Sequence, residues 1–583
     1  MRYLRMLSNS LIAAALATSY VLALVMQMNP SLPLSPARVE PLAAAIGFFY
    51  IVNFTAIAYV MLVAVQLLAR EPFSPGWISV NVLAWLAAAS SAGGAVLMWA
   101  NLQRFTLVLE PSVASRMTAG AIALACAAAL FVIVGLARRY AGPGRAVVGL
   151  SWLLVALGSI AAPFALRGRG TLPPLESHPL SASLDVPAPE RSARLTMLAV
   201  DAGSFEVIAN ATAEGRLPNF GRMLDSGAAM HLATIHPTSA EAVWAAVATG
   251  KLPQKNGVRA AGTYRIVSGG DAVQVLPEFC FATSLVRLGF LADEPLTSAA
   301  IRTRTLWSIL STQGVSVGVV NWPLTYPAPV VRGYLVSDAY SRLALAPAGI
   351  DDPQLVYPPD IRADARQFVA DTTDALRASP LSATDAAIDE RRRAAGRLDR
   401  VNERLAAKLA AGAPPQVQVT RYQSLDTIGH YFLRYAMPSA FGDVTDDERR
   451  TLGPVLEAHY ALIDEAIGRA MASLGPDDLL LVVSGFGMEP LSLARRGIER
   501  FMGDPDVSGT HDNTPDGFLL AYGGPVAKAR SLRRASVVDV LPTILYFLGL
   551  PIGRDMDGFA RADIFQPAFT GERPLTFIPT YDR

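Results

Sequence analysis

Cysteine is scarce in this chain of 583 residues, which contains only Cys126 and Cys280. Cys126 lies inside a long apolar run and Cys280 lies in a more polar part of the sequence. The pair therefore does not predict an intramolecular disulfide, and the cysteines give no information about the compartment in which the chain works. That question has to be answered from the apolar segments.

Charged residues are unevenly distributed, and lysine is absent from the first 166 residues. That part has nine arginines, no lysine and only three acids, Glu40, Glu71 and Glu110. The other 417 residues have 41 basic and 46 acidic side chains, a net charge of −5. We therefore expect a membrane domain followed by a soluble domain, and nothing in the soluble part indicates nucleic-acid binding.

Five segments of the first part contain no charged side chain: 11–28, 42–69, 77–100, 117–137 and 146–166. Each is close to or above the ~20 residues that an α-helix needs to cross a hydrocarbon core of ~30 Å. A cleaved signal peptide would also explain Arg2, Arg5 and the first segment. Because four more apolar segments follow and no clear cleavage site is present, we expect five transmembrane helices in an all-α domain over residues 1–166.

Arginines set the expected orientation, since basic residues resist translocation. With the N-terminus inside, the cytoplasmic segments carry six arginines and the outer loops carry three. An odd number of crossings then places everything after residue 166 in the periplasm or outside the cell. Polar residues within the spans, such as Asn53, Asn81, Ser90 and Ser91, could line a lipid or substrate path, although helix packing is the simpler interpretation.

Residues 167–192 are rich in Pro, Ser and Gly and predict an extended linker. From residue 193 to 583, apolar runs of strand length alternate with helical stretches, which predicts an α/β domain with a mostly parallel sheet between helices. The interval from about 258 to 416 is longer than one crossover connection requires, so we expect a cap-like insertion there. Functional groups of such a fold lie at the carboxyl ends of its strands.

Four sites in the soluble part carry candidate chemistry. Asp201 ends an apolar strand and suits either a cation or a helix N-terminus. Thr238 and Glu241 have the spacing of a capping box. Asp426 and His430 are four residues apart, so on a helix both can bind one divalent metal, and zinc suits this donor pair. His511, before a later strand, could be a third ligand, although a single loop histidine is a weak signal.

In this order the motifs resemble the type I phosphodiesterase/nucleotide pyrophosphatase branch of the alkaline phosphatase superfamily. The resemblance covers residues 194 to 560. It rests on the strand ending in Asp201, on Leu217-Pro218-Asn219-Phe220, on Trp244 to Pro253, on Asp426-x-x-x-His430, on Gly509-Thr510-His511, on Val538 to Leu545 and on Asp555-Met556-Asp557-Gly558. It implies an alkaline-phosphatase-like core.

The resemblance also implies two zinc ions and a Thr or Ser nucleophile between them. Asp426, His430 and His511 match the ligands of one metal, and Asp201 matches one ligand of the other. At the positions of the second metal's Asp-His pair stand Gly485 and Phe486, and Ala240 stands at the position of the nucleophile. We therefore expect at most one divalent metal, zinc or another.

Neighbouring residues could replace the missing groups. If the reaction uses a covalent intermediate, Ser239 is the expected nucleophile, because Thr238 is assigned to the helix cap. A single metal acting through bound water is the alternative. His231, His236 and Glu489 are candidate replacement ligands for the second metal, each with a simpler structural interpretation.

Three functions stay open. The first is a membrane-anchored hydrolase or phosphotransferase that acts at the outer face of the membrane on a lipid-linked or envelope phosphorylated substrate. The second is a catalytically inactive pseudoenzyme that serves as a binding or scaffold subunit in an envelope complex. The third is a metal-independent structural subunit that interacts with its partners through the transmembrane helices.

Overall fold

The computed structural model describes residues 1–30, 32, 36–68, 75–140, 144–167, 193–267, 269, 272–278, 281–340, 352–362, 386–502, 504–512 and 514–582. Beyond Arg167, the predicted linker lies outside these residues, and so does Cys280. The chain divides into two compact units. The first comprises Met1–Glu176 and Gly262–Pro295, and the second comprises Ser177–Ala261 and Leu296–Arg583.

The first 167 residues form five long helices in the described part of the chain: α1 (Arg2–Met28), α2 (Pro36–Leu68), α3 (Val80–Arg104), α4 (Pro111–Tyr140) and α5 (Arg145–Arg167). All five are long and apolar enough to cross a membrane. Such a helix is stable in lipid because its backbone polar groups are paired within the helix and its side chains are apolar. The predicted five-helix membrane domain is confirmed, and the chain is a multi-pass membrane protein.

The other helices are α6 (Phe205–Ala213), α7 (Pro218–Ser226), α8 (Ala240–Thr249), α9 (Pro253–Asn256), α10 (Ala282–Arg287), α11 (Leu306–Thr312), α12 (Ala386–Gly412), α13 (Ser424–Ala436), α14 (Asp446–Ala472), α15 (Leu493–Met502), α16 (Val540–Phe547) and α17 (Pro567–Glu572). Short 3₁₀ turns occur at Ser298–Ala300, Pro353–Leu355, Pro438–Ala440, Val537–Asp539 and Ala562–Ile564.

The longer strands are β1 (Leu195–Val200), β2 (Ala228–Ala233), β3 (Gly262–Ile266), β4 (Leu291–Pro295), β5 (Val317–Trp322), β6 (Gly333–Ser337), β8 (Val417–Tyr422), β9 (Leu479–Phe486) and β12 (Asp516–Gly523). Two-residue strands complete the set: β7 (Val356–Tyr357), β10 (Glu489–Pro490), β11 (Gly509–Thr510), β13 (Arg530–Ser531), β14 (Ala535–Ser536), β15 (Ile552–Gly553) and β16 (Phe577–Ile578).

The second unit is built around one mixed sheet in the order β13-β2-β12-β9-β1-β8-β5-β6-β7, with β14 also paired to β2. Strand β1 is parallel to both of its neighbours, β8 and β9. Its apolar run is almost fully buried, as expected for a central strand of a sheet with helices on both faces. The predicted α/β class with a mostly parallel sheet is confirmed.

The direction of the strands brings distant parts of the sequence to one end of the sheet, where β1, β8 and β9 have their carboxyl ends. Because β1, β8 and β9 are parallel, Asp201 and the start of α13 follow β1 and β8 at the same end of the sheet at which Phe486 ends β9. Strand β12 is antiparallel to both β9 and β2, so it begins at the end of the sheet where those two strands stop. The segments before β12 and after β2, which contain His511 and the start of α8, therefore reach the same end of the sheet.

The interval 258–416 is not one insertion in this structure. Strands β5, β6 and β7 belong to the main sheet. Residues Gly262–Pro295 group instead with the membrane helices.

Residues Gly262–Pro295 pack within the first unit against the ends of α1, α2 and α3. The buried Asn29 accepts hydrogen bonds from the backbone N–H groups of Gln274 and Val275 at 3.0 Å each. Asn101 Oδ1 accepts another from Glu278 N at 2.7 Å, and the Glu278 carboxylate pairs with Arg104 at 2.8 Å. These contacts hold the segment against the C-terminal ends of α1 and α3.

Candidate metal centre

The first turn of α13 is fixed by a buried acid on α12. Asp399 is fully buried, and its carboxylate accepts the backbone N–H groups of Gln423 and Ser424 at 2.9 and 3.0 Å. Negative charge at a helix N-terminus satisfies donors that the helix itself leaves unpaired. Burial nevertheless raises the pKa of Asp399 to about 6. Asp399 thus determines where α13 begins.

Helix α13 and the segment before β12 bring together the three predicted ligands. Asp426 Oδ1 lies 3.7 Å from His430 Nε2 and 4.0 Å from His511 Nε2. One ligand atom from each of the three residues lies within 4.8 Å of the others. Two ligands of one zinc ion lie at most about 4.2 Å apart, twice a metal–nitrogen distance of ~2.1 Å, so this geometry is close to that of a metal site. The cluster is a candidate site for a divalent metal.

The orientation of both imidazole rings favours metal binding through Nε2. His430 Nδ1 lies 2.8 Å from the carbonyl oxygen of Gly509, and His511 Nδ1 lies 3.2 Å from that of Thr238. A carbonyl can only accept a hydrogen bond, so Nδ1 is the donor in each ring, and in the neutral form Nε2 presents a lone pair. Ligand histidines are usually held in this way by their second nitrogen.

The acid of the cluster has an unused oxygen. Asp426 Oδ1 is buried and has no hydrogen-bond partner in the described part of the chain. An unpaired buried carboxylate oxygen is costly unless it is compensated. A cation among Asp426, His430 and His511 would compensate it, so the residues present fit a divalent metal.

Asp201 lies outside this cluster and already has a cationic partner. Its fully buried carboxylate receives a forked interaction from Arg421, with Nε 3.0 Å from each oxygen and Nη2 in closer contact. Trp244 Nε1 donates a further hydrogen bond at 2.7 Å. Burial acts to lower the pKa of Arg421, and the adjacent Asp201 carboxylate raises that pKa above its ordinary value. Asp201 and Arg421 form a buried ion pair.

The end of β9 beside the cluster is packed with apolar groups. Phe486 is fully buried, and its ring centroid lies 5.4 Å from that of His511. A Cβ placed on Gly485 would lie 2.4 Å from Val243 Cγ1. Val243 therefore occupies the space that a side chain at position 485 would need.

A family model matches the chain over residues 195–532, more than half of its length, and its description is type I phosphodiesterase/nucleotide pyrophosphatase. The chain belongs to this family, within the alkaline phosphatase superfamily. No curated protein matches the sequence. The resemblance inferred from the sequence motifs is confirmed.

In this phosphodiesterase-family chain, α8 begins one residue later than the capping-box interpretation requires. Ser239 is the N-cap, and its hydroxyl accepts the N–H of Ala242 at 3.2 Å. Thr238 is buried, and its hydroxyl instead donates to the carbonyl of Ile235 at 2.9 Å. The assignment of the cap to Thr238 and Glu241 is therefore wrong, because the Thr238 hydroxyl is directed back along the chain.

Two residues near the site were missed in the sequence analysis. Arg421 is the penultimate residue of β8, and nothing in its spacing indicated that it would reach Asp201. Glu241 was assigned to a helix cap, yet burial raises its pKa, to which the nearby carboxylates Asp201 and Asp426 also contribute. Only a comparison of the ends of neighbouring strands could have found Arg421.

The three candidate replacement ligands for a second metal have other contacts in the structure. The exposed His231 packs its ring on Phe205, with centroids 4.8 Å apart. His236 Nδ1 lies 3.4 Å from the Thr238 hydroxyl, and Glu489 pairs with Thr510 in the β10–β11 ribbon. None of the three belongs to the cluster of Asp426, His430 and His511.

Proposed function

We propose that the chain is a membrane-anchored phosphodiesterase-like hydrolase or phosphotransferase with one divalent metal. The observation that carries this proposal is the convergence of Asp426, His430 and His511 around an unpaired carboxylate oxygen. Both histidines present Nε2 because backbone carbonyls hold Nδ1. Two imidazoles and one carboxylate are a donor set that zinc prefers.

When bound, such a metal supplies a Lewis acid that stabilises developing negative charge on a phosphoryl oxygen. The protein would hold it through Asp426, His430 and His511. The start of α8 lies directly beside this group, since His511 Nδ1 contacts the Thr238 carbonyl. Backbone N–H groups at a helix N-terminus favour a bound phosphate, so substrate binding is expected between α8 and the three ligands.

A single metal is favoured over two by the surroundings of Asp201. The guanidinium of Arg421 balances the charge of Asp201 from within the protein. Gly485 and Phe486 have no side-chain oxygen or nitrogen that could bind a second ion. We propose that Arg421 takes the electrostatic role of a second cation in this chain.

Ser239 is the proposed nucleophile. Its hydroxyl oxygen accepts one backbone hydrogen bond from Ala242, which leaves the hydroxyl proton available for transfer to a base. Attack of this oxygen on phosphorus would displace one alcohol of the diester and form a serine-linked phosphodiester that keeps the second ester group; water would then cleave the serine–phosphorus bond and release a phosphomonoester. The nucleophile would stand one position before Ala240.

The experiment compares two substitutions of Ser239 in the full-length protein with a bis-aryl phosphate diester as substrate. Asn is as good an N-cap as Ser, so Ser239→Asn removes the hydroxyl and keeps the cap. Ser239→Ala removes both and should also cost about 1 kcal/mol of stability. We expect both variants to lose at least about 10³-fold in kcat, as is usual when a nucleophile is removed.

Full activity in Ser239→Asn would show that the attacking oxygen comes from water. Loss of activity in Ser239→Ala alone would assign Ser239 a purely structural role as the cap.

The substrate is expected at the outer face of the membrane. Six arginines in the predicted cytoplasmic segments against three in the outer loops support a periplasmic or extracellular soluble domain. A lipid-linked or envelope molecule with a phosphodiester is therefore the proposed substrate class. The membrane is the proposed partner, with a protein complex formed through the transmembrane helices as a further proposal.

A second candidate function is a pseudoenzyme that serves as a binding or scaffold subunit in an envelope complex. The buried pair of Asp201 and Arg421 favours it, because Arg421 occupies the carboxylate that could otherwise bind a second cation, and neither residue is a nucleophile. A wild-type protein that binds metal but turns over no phosphodiester, phosphomonoester or sulfate ester would establish this alternative and refute the hydrolase.

A further inference from the structure

A groove of 390 Å³ lies within the membrane domain between α1, α2 and α3. Its volume is within the range of ~300–1,000 Å³ that is usual for small-molecule sites. Its floor is made of small residues, including Ala13, Ala17, Gly93 and Gly94. Such residues leave a depression between helices that larger side chains would fill.

The length of the groove corresponds to one leaflet. On α1 its lining extends from Ala13 to Leu24, a rise of about 16 Å at ~1.5 Å per residue. Half of a hydrocarbon core of ~30 Å is about 15 Å. An extended hydrocarbon chain that enters from one membrane surface would therefore fill the groove from end to end.

The groove is open to the bilayer on the side of α2. Ile57 and Met61 line it, and they are 62% and 47% exposed. The hydroxyl of Tyr20, which also lines it, is paired with that of Ser91 at 3.0 Å. The Tyr20 hydroxyl thus already has a partner within the protein, and the groove is otherwise almost entirely apolar.

One end of the groove meets the segment Gly262–Pro295. Val21 and Leu97 line the groove and also belong to the apolar cluster that this segment forms with α1 and α2. Leu285 and Phe290 are among the residues that the segment contributes to that cluster. The groove therefore extends from the middle of the membrane toward the surface at which α1 ends and Gly262–Pro295 packs.

We propose that this groove binds one acyl chain of a membrane phospholipid from the leaflet at that surface. The shape, length, apolar lining and lateral opening fit a hydrocarbon chain, and hydrocarbon is what surrounds these helices in a bilayer. The bound lipid is a constituent of the membrane domain. The inference does not depend on the chemistry proposed for Asp426, His430 and His511.

The test uses the full chain in phosphatidylcholine nanodiscs that contain an analogue with a diazirine on its acyl chain. After photolysis, cross-linked peptides are mapped by mass spectrometry, and retained phospholipid is counted by native mass spectrometry. We expect cross-links to concentrate on residues 13–24 and 86–97, with one phospholipid retained per chain. Cross-links spread evenly over the exposed face of α5 would overturn the proposal.

Gly93→Leu should fill the groove, because a Cβ at Gly93 meets no atom within 4 Å. Gly149→Leu is the matched control, since Gly149 on α5 has equally open surroundings and does not line the groove. We expect retained phospholipid to fall about tenfold or more in Gly93→Leu and to stay unchanged in the control. Ala89→Leu, one turn earlier on the same face of α3, repeats the test should Gly93→Leu fail to fold.

Equal retention in the groove-filling variants and in wild type would refute the site. A dimer without retained phospholipid in the native mass spectrum, together with no lipid cross-links on residues 13–24, would also refute it, because a second copy would then be the occupant.

Discussion

Individual residues decide how many cations the site can hold. In the proposed single-metal site, the guanidinium of Arg421 would take the place of a second ion, because it has a fixed charge and a geometry matched to a carboxylate. Removing one partner of such a buried pair costs more than removing both, because a single buried charge is left behind. The ion pair therefore also constrains which substitutions at Asp201 and Arg421 the fold tolerates.

The contact between position 485 and Val243 can be tested with single substitutions. Gly485→Ala should lower the free energy of unfolding by about 1–3 kcal/mol, because the new methyl group would lie 2.4 Å from Val243 Cγ1. Val243→Ala removes that obstacle, so the double variant should be less destabilised than the sum of the two single variants. Thermal unfolding of the full chain in detergent measures both effects.

Additive effects of the two changes would show that Val243 does not limit position 485. The same contact predicts that Gly485→Asp cannot restore a ligand in the presence of Val243.

Much of the site at the residue scale was available from the sequence. Asp426, His430 and His511 were found because helical spacing and motif order are local signals. Arg421 was missed because its role depends on the neighbouring strand, and no local pattern records which strands are adjacent. The cap of α8 was placed one residue early because both Thr238 and Ser239 are good cap residues, and the choice depends on the buried contact of Thr238 with Ile235.

At the scale of elements, the position of α13 depends on α12. The folded pKa of Asp399 is raised from 3.8 to about 6 by burial. Its contribution to stability is thus complete below pH ~4 and is lost as the pH rises through 6, with a total of about 3 kcal/mol. Asp399→Asn cannot titrate, so this part of the pH dependence should disappear in that variant.

The measurement is the melting temperature of wild type and Asp399→Asn between pH 4 and 8, with a chelator present to exclude metal effects. The melting temperature of wild type should fall relative to that of Asp399→Asn as the pH rises. A difference that does not change with pH would show that Asp399 does not titrate in this range.

The predicted apolar segments coincide with the five long helices because their apolar runs are continuous, although α1 begins at Arg2 and not at residue 11. Sequence alone could not show that Gly262–Pro295 joins the membrane helices while β5, β6 and β7 extend the main sheet. Both parts lie in one interval of similar composition, and only long-range contacts such as those of Asn29 distinguish them.

At the scale of the whole molecule, the orientation of the membrane domain determines which compartment the site faces. A reporter that is active only outside the cytoplasm, fused after Arg169, should be active. A reporter that is active only in the cytoplasm should be silent at the same position. The opposite pattern would contradict the arginine count and move the proposed substrate to the cytoplasm.

The central claim is that one divalent metal binds at Asp426, His430 and His511 and that Arg421 takes the place of a second. Its most direct test is the metal content of the purified full-length protein, measured by inductively coupled plasma mass spectrometry after equilibration with zinc. We expect one equivalent in wild type and in the control His231→Ala, and none in His430→Ala. The melting temperature should fall with the metal, because a ligand that binds only the folded state stabilises it. Two equivalents in wild type, or one equivalent retained in His430→Ala, would contradict the account.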